Sequence, residues 1–182
     1  GWEGLGFAFY LVVGYDRRRA GTARAAVLAG GFSVFSGAAI LIAGSVLFAS
    51  SHSLDLATIA DHVPPVMRDI AYVLFIVGFV VKVGLMPVHL WLPPSYAAAP
   101  GPIRAILAGA AVNVGFYGLW RTLDILHAPP AWLACVVLVV GGLTAILGIA
   151  HATVHADLAY LISWSSVENA GIIVTGYGVA LV

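Results

Sequence analysis

Residues 69–104 read DIAYVLFIVGFVVKVGLMPVHLWLPPSYAAAPGPIR, and they contain Lys82, the only lysine of the chain. Apolar runs precede and follow this lysine, and Pro87 comes shortly after it. Proline removes a backbone donor and clashes with the preceding turn, so this pattern predicts an interrupted helix. Burying a lone ammonium in hydrocarbon costs roughly 2.5–3.5 kcal/mol on insertion scales. We therefore expect the lysine beside the helix break to have a functional role.

The composition is that of an integral membrane protein. Of the 182 residues, 62% are hydrophobic and 9% are charged, whereas a soluble domain carries about 25% charged residues. The net charge is zero, so nucleic acid is not expected as a partner. The single cysteine, Cys135, excludes an internal disulfide framework and a multi-cysteine metal site. The chain begins and ends inside apolar stretches, which predicts a central excerpt of a longer polytopic protein in a lipid bilayer.

Alternation of apolar and polar stretches predicts about six membrane-spanning helices in one transmembrane domain, because about 20 apolar residues cross the hydrocarbon. The predicted spans are residues 1–15, 25–49, 69–92, 103–120, 131–150 and 158–182. The expected fold is an all-α polytopic transmembrane helix bundle with one helix broken around Lys82–Pro87. The arginine-rich loop at 16–24 is predicted to be cytoplasmic. Alternation then places the connections 93–102 and 151–157 on the same side.

Ionisable residues inside apolar spans are the first candidates for function. Lys82 lies about 13 residues, or roughly 20 Å of helix, from Asp69, which is too deep for snorkelling to the interface. Apolar surroundings disfavour its ammonium form, so this side chain can exchange a proton. Glu3 lies in the first span, where a buried carboxylate could modulate the charge of the lysine. An interfacial glutamate at a helix end is the alternative, and the residues alone leave both open.

Two further residues are weaker candidates for proton translocation. His89 follows Lys82 by seven positions, but Pro87 intervenes. A helix break frees backbone groups that can line a hydrated cavity, where an imidazole can relay protons; a histidine satisfied by a carbonyl is the alternative. Glu168 lies in an otherwise apolar span about three turns after Asp157, and an ionisable residue in such a span is a functional candidate.

Two pairs have the i,i+4 spacing that places side chains on one helix face. Asn113 and Tyr117 can order water or join neighbouring helices. His151 and His155 can form a hydrated helix end or a proton-entry site. No glutamate follows the first histidine as in the H-E-x-x-H pattern, so no metal is predicted. Small residues typical of close helix–helix packing occur in the second span at Gly30, Gly31, Ser33, Ser36, Gly37 and Gly44.

The chain carries no phosphate-binding loop, no Ser–His–Asp order, no CxxC pair and no haem motif. We therefore predict no cofactor and no catalytic redox centre in this chain. The energy for any transport must come from an ion gradient or from a partner.

Several motifs together resemble one known family. The run FIVGFVVKVGLMPVHLWLPP resembles the antiporter-like membrane subunits of respiratory complex I, the Mrp sodium/proton antiporters and the group-4 membrane-bound hydrogenases. Their pattern is a lysine in a broken helix, then P-x-H-x-W-L-P, then a helix ending Y-G-x-x-R. Here the matching residues are Lys82, Pro87, His89, Trp91, Leu92, Pro93, Tyr117, Gly118 and Arg121. The helix WEGLGFAFYLVVGY places Glu3 at the key glutamate of the family. The segment S-V-E-N-x-G-I-I is most like the hydrogenase-4 or formate hydrogenlyase subunit.

The resemblance implies translocation of protons, or of sodium ions, across the plasma membrane by a multi-pass subunit. It implies Glu3 and Lys82 as the central pair, with His89 and Glu168 as weaker candidates. It also implies partners, namely other membrane subunits and a redox arm of the hydrogenase or NADH–quinone reductase type. Whether such a subunit counts as an enzyme stays open.

Two departures from the family pattern concern titratable positions. Asn113 stands where the family usually has a buried lysine or histidine, and Ala159 and Tyr160 stand where it has Lys-Arg. An amide can order water but cannot titrate. A structural or coupling subunit with an impaired proton path therefore stays open, as does a stand-alone cation/proton antiporter.

Overall fold

The computed structural model describes residues 1–53, 55, 59–127 and 129–182. The α-helices are α1 (Trp2–Val13), α2 (Thr22–Ser51), α3 (Pro65–Val83), α4 (Leu92–Ala98), α5 (Gly101–Ile106), α6 (Val112–Leu126), α7 (Ala131–Val154) and α8 (Leu158–Ala180). Short 3₁₀ turns lie at Ile59–His62 and Val88–Trp91, and the π-helical segment Leu107–Ala111 joins α5 to α6. These described ranges contain no strand, which confirms the predicted all-α class.

The helices are those of a multi-pass membrane protein. Four helical segments are long and apolar enough to cross a bilayer, namely Thr22–Ser51, Pro65–Ala98, Gly101–Leu126 and Ala131–Val154. Helix α1 is apolar but shorter, and α8 has 23 residues. The finer division of the chain into six spans stays a prediction.

Helical structure reaches further than the expected span boundaries. Most of the expected connection 93–102 is helical, because its first two prolines lie in the first turn of α4, where a missing amide breaks no helical hydrogen bond. Helix α6 continues to Leu126. Its last turns hold an ion pair of 2.9 Å between Arg121 and Asp124, which are neighbours on the helix surface.

Helices α7 and α8 form a hairpin in which the backbones touch. A Cβ at Gly141 would lie 2.8 Å from the Thr175 nitrogen, and one at Gly148 would lie 2.7 Å from the Glu168 nitrogen. A Cβ at Gly171 would overlap the backbone of Ala145. Small residues permit this close approach, which supplies the dispersion contacts that hold helices together in lipid.

A second layer of helices packs on this hairpin. Helix α2 contacts α1 on one side and α3 on the other, and α4 lies between α2 and α8. The hydroxyl groups of Tyr72 in α3 and Tyr177 in α8 are 3.2 Å apart, and both side chains are buried. The other end of α3 lies next to α1, α2 and α7, and the chain breaks there.

Candidate functional site

The helix break begins at Gly84, directly after the turn that carries Lys82. Gly84 has a φ of +82°, a left-handed conformation that costs little only for glycine, and its amide donates to the Val80 carbonyl over 3.0 Å. Pro87, which we expected to break the helix, lies three residues later and precedes the 3₁₀ turn Val88–Trp91. The helix therefore ends within the expected interval Lys82–Pro87, at a glycine that precedes the proline.

Backbone groups released at the break have partners in the surrounding helices. The indole Nε1 of Trp91 donates to the Val81 carbonyl over 2.9 Å. The Met86 amide donates to the Thr144 hydroxyl of α7 over 3.3 Å. The Ser95 hydroxyl donates to the Trp91 carbonyl over 2.5 Å. An unpaired backbone group is costly in hydrocarbon, so these bonds make an interrupted helix tolerable in a membrane.

Lys82 lies in the last turn of α3 and is only 3% exposed. Its Nζ donates to the Ser33 hydroxyl of α2 over 3.1 Å. The same Nζ lies 5.1 Å from the ring centroid of Phe9 and 5.5 Å from that of Trp2, both in α1. An aromatic face attracts a cation at such distances. The ammonium is thus held where α1, α2 and α3 meet, by one hydrogen bond and two aromatic rings.

Space for this arrangement depends on a glycine of α1. A Cβ at Gly6 would overlap the Ser33 hydroxyl and would lie 4.0 Å from the Lys82 Nζ. One turn further along α2, the Trp2 indole donates to the Ser36 hydroxyl over 3.2 Å, and that hydroxyl donates to the Gly78 carbonyl over 2.6 Å. These contacts fix the three helices around the lysine.

Glu3 lies in the first turn of α1 and is exposed. A Cβ at Gly37 would overlap the Glu3 Oε1, so the carboxylate rests on the glycine at the middle of α2. Ser33, which binds the lysine, is four residues away on the same helix, a rise of about 6 Å. Glu3 and Ser33 also line one open groove of about 550 Å³.

The carboxylate and the ammonium are neighbours without touching. Within the described residues, Glu3 and Lys82 form no ion pair of 4.0 Å or less. Burial disfavours the charged form of the lysine, and a nearby carboxylate opposes this effect because it attracts the ammonium. Both groups lie near the middle of α2, a 30-residue helix that is long and apolar enough to cross a bilayer.

His89 and Glu168 lie toward α7 and α8. The His89 ring is half-buried, and its centroid is 5.1 Å from that of Trp164 in α8. Glu168 is half-buried where α8 meets Gly148 of α7. In the described part of the chain, no ion pair joins Glu168 to Lys82.

Asn113 and Tyr117 lie on the outer side of α6. The Asn113 amide donates to the Gly109 carbonyl over 2.6 Å, and so binds the π-helical segment of its own helix. Tyr117 is 69% exposed. The opposite side of α6 packs on α3, where a Cβ at Gly115 would lie 3.2 Å from the Phe79 carbonyl. The structure therefore does not bring this pair to Lys82.

His151 and His155 lie at the end of α7, where both rings approach Trp164. The centroid distances are 4.4 Å for His151 and 6.2 Å for His155. Among the described residues, no group of three or more His, Cys, Asp or Glu side chains is arranged to hold a metal ion.

Sequence reasoning missed two residues of these sites. Ser33 was interpreted as a packing residue because it occurs in a stripe of small residues, which is the only signal it carries in the sequence. Trp164 carries no signal of its own in an apolar helix. The partners of both residues are distant in the sequence and become neighbours only on folding.

Comparison with known proteins supports the resemblance drawn from the motifs. Hydrogenase-4 component B of Escherichia coli is 35% identical over 147 residues, which cover 79% of this chain and 22% of that protein. A subunit of the Na(+)/H(+) antiporter of Alkalihalophilus pseudofirmus is 27% identical over 152 residues, which cover 81% of this chain and 31% of that protein. A solved structure of the Mrp complex from a Dietzia species matches with a TM-score of 0.87 and 25% identity, over 98% of this chain and 20% of that one.

The chain spans less than a third of the length of each of these relatives. Residues 1–181 nevertheless match a single family, described as NADH:quinone oxidoreductase/Mrp antiporter, TM. This match runs through the buried lysine, the helix break and the hairpin of α7 and α8. The chain therefore belongs to the NADH:quinone oxidoreductase/Mrp antiporter transmembrane family.

Proposed function

We propose that this chain is the part of an antiporter-like subunit that moves protons, or sodium ions, across the membrane. The observation that carries the proposal is the Lys82 ammonium, which is 3% exposed and directly precedes the helix break. Ionisable residues at such depth are expensive to bury and characteristically mark ion pathways. The Lys82 Nζ donates to the Ser33 hydroxyl, and an ammonium has three N–H donors, so donors remain for water.

Glu3 tunes the charge of Lys82 from one helical turn away. At an effective dielectric constant of about 20, unit charges roughly 6–8 Å apart interact by about 2–3 kcal/mol. The carboxylate ends a flexible side chain that rests on Gly37 in an open groove, so it can approach or leave the lysine. Its approach favours the ammonium and its departure favours release of the proton. His89 and Glu168 continue the path toward α7 and α8.

The proposed setting is a plasma-membrane complex. Two relatives are named for hydrogenase-4 and for an Na(+)/H(+) antiporter, and the similar solved structure is a multi-subunit Mrp complex. We infer that other membrane subunits accompany this chain and that a redox arm or an ion gradient drives it.

The test uses Lys82→Met in the full-length subunit within its native complex, in inverted membrane vesicles. Proton uptake is followed with a pH-sensitive dye, sodium uptake with a radioactive tracer, and electron transfer with an artificial acceptor. We expect ion uptake to fall at least about tenfold, because the group that carries the proton is gone, while electron transfer continues. Arg19→Met is the control, since it removes one positive charge from an exposed loop. Undiminished ion uptake in Lys82→Met refutes the proposal.

A second candidate is a structural or coupling subunit. The observation in its favour is that Asn113 binds its own helix and lies away from Lys82. The same vesicles decide between the two candidates, because a coupling subunit would leave ion uptake unchanged in Lys82→Met. The third possibility is a stand-alone cation/proton antiporter. In that case the purified full-length subunit would exchange sodium for protons in liposomes without any other subunit.

A further inference from the structure

Three histidines and a tryptophan gather beyond the helix break, and we call His89, His151, His155 and Trp164 the histidine cluster. The Trp164 ring centroid lies 4.4 Å from that of His151, 5.1 Å from that of His89 and 6.2 Å from that of His155. The rings of His151 and Trp164 are nearly parallel, with an interplanar angle of 21°. The cluster joins the 3₁₀ turn after the break to the connection between α7 and α8.

Hydrogen bonds fix the tautomers of two of these histidines. The Nδ1 of His151 lies 2.8 Å from the Leu147 carbonyl, and the Nδ1 of His155 lies 2.7 Å from the His151 carbonyl. A carbonyl only accepts, so each Nδ1 carries the hydrogen and donates. In the neutral rings Nε2 is then the basic nitrogen. Each of the two rings therefore offers one defined atom at which it can receive and release a proton.

Trp164 provides a surface on which a protonated ring is stabilised. The face of an indole attracts a cation, with an interaction of about 0.5–2 kcal/mol depending on solvation. Both His151 and His89 lie against this indole, so a positive charge on one ring opposes a positive charge on the other. The cluster consequently favours a state with one excess proton, which can move from ring to ring, over a state in which every ring is protonated.

Four other titratable groups lie on the elements packed around the cluster. Asp157 caps α8, and its carboxylate accepts from the amides of Ala159 and Tyr160 over 2.8 and 3.1 Å. The Tyr160 ring stacks on that of His155, with centroids 5.7 Å apart. Tyr96 of α4 is hydrogen-bonded to a serine of α8 over 3.0 Å. Glu168 lies one turn beyond the indole on the same face of α8.

We propose that the histidine cluster is a proton relay between the aqueous phase at the α7–α8 connection and the helix break. This inference rests on the proposed ion-translocating function and gives it an access path. His155 directly follows α7, in the short connection to α8, and His89 lies in the 3₁₀ turn after the break. His151 stacks on the Trp164 indole, which the rings of His89 and His155 also approach. Protons enter at His155, pass to His151 and reach His89, five residues from the end of α3 at Gly84.

The first test is the double variant His151→Gln/His155→Gln in the full-length subunit within its complex. Proton uptake by inverted vesicles is measured from pH 5.5 to about pH 8.5, the range in which imidazole ordinarily titrates. We expect uptake to fall at least about tenfold and to lose its dependence on pH in this range. His52→Asn, an exposed histidine at the opposite end of the bundle, is the control, and it should retain both the rate and the profile.

The Lys82→Met variant separates the two proposals. If Lys82→Met stops proton uptake and the double histidine variant retains its rate and profile, the relay is refuted and the translocating function stands. If Lys82→Met itself retains uptake, the translocating function is refuted.

A second measurement needs no transport. Contact with a protonated imidazole quenches indole fluorescence, so the emission due to Trp164 reports protonation of the cluster. This emission is the difference between the parent protein and Trp164→Phe, recorded on the full-length subunit in liposomes. We expect this emission to be weaker at about pH 5.5 than at about pH 8.5, because protonation of a neighbouring imidazole quenches the indole. The change should vanish in His151→Gln/His155→Gln, and an emission that does not vary with pH overturns the relay.

Discussion

At the scale of single residues, a glycine governs the distance between Glu3 and Lys82. Gly37 leaves the surface of α2 open at its middle, and the carboxylate occupies that space. The lysine is held four residues away by Ser33. A side chain at position 37 would change the spacing of the two charges without changing either charge.

We therefore predict that Gly37→Ala impairs ion translocation without unfolding the protein. The new Cβ would overlap the Glu3 carboxylate, the end of a flexible side chain that can move aside. If the distance between the Glu3 carboxylate and the Lys82 ammonium increases from roughly 6 Å to 10 Å, their attraction weakens by about 1 kcal/mol. Ion uptake in vesicles should then fall roughly fivefold. Gly44→Ala is the matched control, because nothing lies within 4 Å of its new Cβ. Equal uptake by the two variants would contradict the role of the Glu3 position.

At the scale of secondary structure, the broken helix combines a local signal with remote support. Gly84 ends the helix by its own left-handed conformation. The Met86 amide, however, finds its hydrogen-bond acceptor in Thr144, 58 residues away in α7. The Thr144 hydroxyl both accepts from that amide and donates to the Val140 carbonyl over 2.7 Å. One side chain of α7 thus holds the backbone of the break in place.

Thr144→Val should loosen the break while preserving the shape of the side chain. The Met86 amide would lose its acceptor in an apolar environment, at a cost of about 1–3 kcal/mol. We expect faster hydrogen–deuterium exchange in residues 84–92 and a lower melting temperature in detergent. Thr153→Val on the same helix is the control, since that exposed hydroxyl donates to the Ala150 carbonyl of its own helix. Indistinguishable exchange in the two variants would argue against the role of Thr144.

At the scale of the whole molecule, the hairpin of α7 and α8 contacts the helix break and carries most of the histidine cluster. Its glycines bring two backbones into contact, and α4 packs against α8. The tyrosine pair of α3 and α8 ties the lysine-bearing helix to the same hairpin. A change in the spacing of α7 and α8 should therefore affect the stability of the whole bundle.

Gly171→Ala tests this dependence. Its Cβ would overlap Ala145 and would lie 2.7 Å from the Gly141 carbonyl, so the two backbones must separate. Overpacking of this kind costs typically about 1–3 kcal/mol, and the melting temperature in detergent, followed by circular dichroism, should fall. Gly176→Ala on the same helix meets nothing within 4 Å and should raise stability by up to about 1 kcal/mol, because alanine favours helix over glycine. A fall of similar size in both variants would refute close packing as the cause.

Much of this protein follows from the sequence alone, because the decisive signals are local. Composition establishes a membrane bundle, and the run around Lys82 predicts a helix interrupted beside a buried charge. Several motifs together, among them the spacing of lysine, proline, histidine and tryptophan, indicate the family that the comparisons confirm. The break lies within the predicted interval Lys82–Pro87, and of the two residues there that can end a helix, the earlier one, Gly84, does so.

The tertiary structure determines which side chains face one another. A span that is apolar all round carries no stripe to show which side is buried. The rotation of each helix is set by glycine contacts between residues far apart in the chain. Packing thus makes Ser33 the partner of Lys82, keeps Glu3 one turn away, turns Asn113 outward and collects three histidines on Trp164.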